Sequence, residues 1–108
     1  MTKNIKKFFV IKTLKKVAKD NGKSVNQNLL NALNKIPDNE EFVFQENTDV
    51  LFEKLVWISR NGYSDALIVG YFIDGLVKAK NTDCSLYKVL NDFFSNSGQK
   101  FIDNNKEK

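Results

Sequence analysis

The residues of this chain best placed to act together are lysines. Lys12, Lys15, Lys16, Lys19 and Lys23 recur opposite an apolar stripe of Val10, Ile11, Leu14, Val17 and Ala18. A helix over this stretch therefore carries a row of ammonium groups on one face. Such a row suits a polyanion, above all the phosphates of duplex DNA, whose binding is dominated by charge. The cations of the chain are sixteen lysines and one arginine. Lysine attracts phosphate as a point charge and lacks the fork with which arginine reads guanine, which favours docking on the backbone. Two plainer readings compete. One is a solvated face in a chain whose fourteen asparagines and many lysines suggest an AT-rich genome; the other is a helix lying on anionic lipid, helped by Phe8 and Phe9.

Other chemistry lacks its residues. Histidine is absent and Cys84 is the only cysteine, which excludes a disulfide framework, a zinc site of the usual kind and any histidine-dependent triad. No carboxylate pair is spaced for acid–base work, and no glycine-rich phosphate loop is present. The expectation is a protein that is not an enzyme and takes no cofactor or metal. Tyr63, in a turn beside Gly62, is the best candidate for an exposed aromatic, with a hydroxyl able to reach a phosphate. Trp57 reads as core or interface in preference to a base-stacking platform.

The charge distribution says more than the net +4. Residues 1–36 hold nine lysines against Asp20 alone, whereas residues 37–53 hold six acids and no base. Such a layout implies either an anionic partner for the first third or a salt link between the two segments. No targeting segment is visible, and the longest apolar stretch, Ala66 to Val77, is interrupted by Gly70, Asp74 and Gly75. A cytoplasmic location with no membrane span is expected.

A chain of 108 residues has the size of one domain. The patterning predicts a mostly α fold of about five helices in a compact bundle, with residues 1–95 as the domain and 96–108 as a polar, fraying tail. One short strand pair is read at about 6–11 and 41–46, with an extended linker as the alternative for the second stretch. The first helix runs from Val10 and stops at Asn21-Gly22. Ser24 and Gln27 form a capping box for the second helix, which Pro37 closes. Asn47-Thr48-Asp49 opens a third helix, Ser64 or Asp65 a fourth, and Thr82 or Asp83 a fifth that Asn96-Ser97-Gly98 breaks. The fourth is apolar nearly all round, which belongs in the middle of a domain or in a dimer interface. A homodimer formed through it is expected.

An internal echo runs through these elements. Asn21-Gly22-Lys23-Ser24 and Asn61-Gly62-Tyr63-Ser64 lie forty residues apart, each after an amphipathic helix and a β-prone stretch. Strand, helix, G-x-S turn and helix over residues 5–80 resemble the ribbon–helix–helix family of small DNA-binding proteins. That resemblance implies two strands paired antiparallel and inserted into the major groove, their outward residues touching bases. It implies that the helix start near Ser24 or Ser64 anchors a phosphate through free N–H groups. Gln45 is the ribbon residue with chemistry suited to adenine, while Lys6–Ile11 is mostly hydrophobic and Glu40, Glu41 and Glu46 flank the second strand. A glycine stop followed by a serine cap equally punctuates any tight helical hairpin. The functional expectation is a small DNA-binding accessory or regulatory protein of the plasmid or phage type. The alternative is a non-catalytic protein–protein module, an immunity protein or phage-encoded inhibitor that occludes a protein target.

Overall fold

A computed structural model describes the backbone of residues 2–106 and the side chains of residues 2–96. The chain runs β1 (Thr2–Ile5), α1 (Lys7–Asp20), α2 (Gln27–Asn34), β2 (Phe42–Gln45), α3 (Thr48–Asn61), α4 (Asp65–Lys78) and α5 (Ser85–Lys106). It is mostly helical with a two-stranded antiparallel sheet, the class expected from the patterning.

α4 is the centre around which the rest is packed. Ile68, Val69, Phe72 and Leu76 are fully buried, and α5, β2, α3 and α1 all lie against this helix. Most of its apolar circumference is thus covered within one chain, which leaves Val77, 48 % exposed, as the strongly exposed large apolar side chain of α4 for the expected dimer contact. Leu14, Leu29, Leu33, Leu86 and Leu90 complete the core from α1, α2 and α5.

The ribbon shows why strands alternate. Thr2 faces Gln45 and Ile5 faces Phe42 in the antiparallel register; Ile5, Phe42 and Phe44 are buried while Thr2, Asn4 and Val43 are exposed. The first strand therefore lies at 2–5 and not at 6–11. The reason is the phase of the buried residues: Val10 and Ile11 are adjacent and lie with Leu14 and Ala18 on one helix face, whereas a strand would turn them to opposite sides. As a helix, the same stretch buries Val10 and Ile11 and leaves Phe8 51 % and Phe9 37 % exposed.

Two helix starts also differ from expectation. α2 begins at Gln27, capped by the Asn26 side chain, which accepts from Asn28 N–H at 2.9 Å and Leu29 N–H at 3.2 Å, so Ser24 with Gln27 is not its capping box. Asparagine two residues later wins because its side-chain carbonyl stands directly before the helix and reaches the Asn28 and Leu29 N–H groups. α5 is opened by Cys84 instead of Thr82 or Asp83; the Cys84 sulfur accepts from Tyr87 N–H at 3.4 Å. It continues through Asn96-Ser97-Gly98, since a lone helical glycine costs only about 1 kcal/mol.

Tyr71 on α4 lies beneath the ribbon, edge-on to Phe44, with its hydroxyl donating to Glu46 at 3.4 Å. Burial first, and then the Glu46 charge, push its ionisation from 10.0 up to about 12. The folded protein keeps a proton that the unfolded chain releases above pH 10, so this stabilisation is complete below pH 10 and is lost as pH rises towards 12. Urea midpoints should fall between about pH 9 and about pH 11, and Tyr71→Phe should flatten that fall.

Candidate nucleic-acid interface

Helix geometry sets the lysine row. The buried residues of α1 are Lys7, Val10, Ile11, Leu14 and Ala18. At 100° per residue, Lys12, Lys15, Lys16 and Lys19 share about 100° of arc on the outward side, over roughly 10 Å. That length spans about three base steps of one DNA strand. Gly22, at φ +67°, supplies the left-handed residue that ends α1, and Lys23 follows it. All five lysines are exposed. Lys15 and Lys23 line the same open groove between α1 and the start of α2, with Ser24, Asn26 and Gln27.

Charge pairing separates the two possibilities left open by composition. The acidic connector turns to other partners: Asp38 to Lys7 at 2.7 Å, Glu46 to Lys3 at 3.6 Å, and Glu40 to the Ser85 hydroxyl at 2.9 Å. Within the row, Lys16 meets Asp20 at 3.4 Å in an exposed pair, which solvent and salt screen. Lys12, Lys15, Lys19 and Lys23 have no ion-pair partner among the described residues. The salt link between the segments thus involves Lys3 and Lys7 and spares the row.

The two Asn-Gly-x-Ser turns meet at the far end of α1 and α3, where Gly22, Lys23 and Ser24 line one cleft with Tyr63, Ser64 and Asp65. Asp65 ties them together. One carboxylate oxygen accepts from Asn26 N–H at 2.8 Å, and the other accepts from the Tyr63 hydroxyl. Ser24 therefore stands before the helix start, whose first N–H groups already have Asn26 as acceptor, and an internal carboxylate occupies the neighbourhood intended for phosphate. Tyr63 is half-buried with its hydroxyl engaged. Burial, and then Asp65, raise its ionisation far above the ordinary tyrosine value, so the hydroxyl remains a neutral donor to Asp65.

Gln45 lies on the outward face of the ribbon, beside Thr2, Asn4 and Val43. Thr2 and Asn4 were missed as candidates because the strand was sought at 6–11. The signal was present: β1 and β2 lie forty residues apart, the same interval as the two glycine turns. No group of carboxylates and cysteine able to hold a metal occurs among the described residues, and none of their helices is long and apolar enough to cross a membrane. No protein-family model, curated protein or solved structure matches the chain.

Proposed function

We propose that this is a small, non-catalytic DNA-binding accessory or regulatory protein that docks on phosphates through α1. The observation that carries the reading is the exposed row Lys12, Lys15, Lys16, Lys19 and Lys23, four of whose members have no carboxylate partner among the described residues. Charge of one sign, left unpaired on a rigid helix, is an electrostatic footprint for a polyanion. The ribbon adds a second support. Its outward residues Thr2, Asn4 and Gln45 are hydrogen-bonding side chains of the kinds that meet base edges, amides with adenine in particular. The repeated strand–helix–helix order with antiparallel strands is also the arrangement implied by the ribbon–helix–helix resemblance.

The test is a titration of labelled duplex DNA with the wild-type protein and with Lys12, Lys15, Lys16 and Lys19 all changed to glutamine. These exposed substitutions should leave the fold intact and weaken binding about a hundredfold at low salt. A second reading, an occluding protein module, is favoured by the apolar side chains Phe52, Leu55 and Trp57 exposed on α3. It becomes the better one if the wild-type chain ignores DNA at low salt.

A further inference from the structure

α3 is apolar yet only partly used by its own domain, against which Val50 and Leu51 pack half-buried. Ile58 is its only buried residue, whereas Phe52 is 69 % and Leu55 42 % exposed. Placed at 100° per residue, Phe52, Leu55 and the half-buried Val56 share about 100° of arc with the hydroxyl residues Thr48 and Ser59, an outward strip with an apolar centre. Asp49, Glu53 and Arg60 line one edge of that strip, the acids in the first half of the helix and the base in its last turn. We propose that the occupant of this face is a second copy of the chain, with the two α3 helices packed antiparallel about a two-fold axis.

The charge order argues for that occupant. In an antiparallel pair the same edge of each helix faces its counterpart, so Asp49 and Glu53 of one copy meet the partner's Arg60, and symmetry makes every pair twice. A parallel pair would not bring them together. Opposed helix dipoles favour the same orientation. The apolar strip supplies the area and the edge supplies the direction, which is how a self-complementary interface differs from scattered surface hydrophobics. One helix face is smaller than the roughly 800 Å² per partner of a standard interface, so association in the micromolar range is expected. The lysine row lies on α1, and the dimer stands or falls without the DNA reading.

Sedimentation of the full chain, free of nucleic acid, from about 5 to about 500 µM should show a monomer–dimer equilibrium. Phe52→Asp, at so exposed a position, should leave the melting temperature nearly unchanged and weaken the dimer about tenfold or more. Asp49→Lys with Glu53→Lys, and separately Arg60→Glu, should each weaken it several-fold, and the three together should restore it, because both pairs are then re-formed with their signs exchanged. A chain monomeric throughout that range overturns the proposal and leaves the strip to another protein. A dimer indifferent to Phe52→Asp, or one that the full exchange of Asp49, Glu53 and Arg60 fails to recover, overturns it equally.

Discussion

Gly75→Ala is expected to remove about 3 kcal/mol or more of stability, a large part of what a domain of this size has. A Cβ built at Gly75 would lie 2.0 Å from Phe44 Cε2 and within 2.6 Å of two further atoms of the ring. The ring has nowhere to go. Phe44 is fully buried, with Tyr71 and Phe72 each 5.6 Å away between ring centroids. Alanine is the better helix former by about 1 kcal/mol, but that gain is outweighed by an overlap that must part β2 from α4. Thermal unfolding followed by circular dichroism measures the loss, and melting within a few degrees of wild type would contradict it. Phe44→Leu in the same chain should recover part of the deficit, since the smaller side chain vacates the space and the two changes couple.

Lys7→Met should cost about 2–4 kcal/mol, although lysine is ordinarily among the most replaceable residues. The Lys7 side chain is 3 % exposed. Its ammonium donates to the Asn34 carbonyl at 2.9 Å and the Ile36 carbonyl at 2.5 Å, closing the end of α2. Methionine keeps the length of the side chain and leaves both acceptors unsatisfied. The ion pair with Asp38 matters less, because that carboxylate is 78 % exposed and screened. Asp38→Asn should therefore change stability by less than about 1 kcal/mol, and a larger effect there than at Lys7 would reverse the assignment. Lys12→Met, on the outward side of α1, serves as the surface control.

The helices were legible wherever one face of the pattern was apolar and a cap or glycine marked the end. Asn47 and Gly62 bracket α3 as their types require. What the pattern could not show was where a run apolar on several sides begins. Reading α1 from Val10 hid Lys7, which sits on the buried face at i, i+3, i+4, i+7 and i+11 with Val10, Ile11, Leu14 and Ala18, and it sent the strand four residues too far along. Competition between caps was equally opaque: Ser24 and Asn26 both suit an N-cap, and the Asp65 carboxylate that receives Asn26 N–H comes from a helix thirty-nine residues away. The lysine row was visible because exposed charge depends only on local helical phase. Its freedom from the acidic connector was not, since pairing is decided by tertiary placement.

The salt dependence of duplex DNA binding tests the role of α1 most directly. With four or five phosphates engaged, the slope of log affinity against log salt should be about −4, so that affinity falls roughly 250-fold between about 50 and about 200 mM salt. In the protein with Lys12, Lys15, Lys16 and Lys19 changed to glutamine the slope should shrink to about −1 or less. A wild-type slope near zero, or the same slope in both proteins, would contradict docking through this helix.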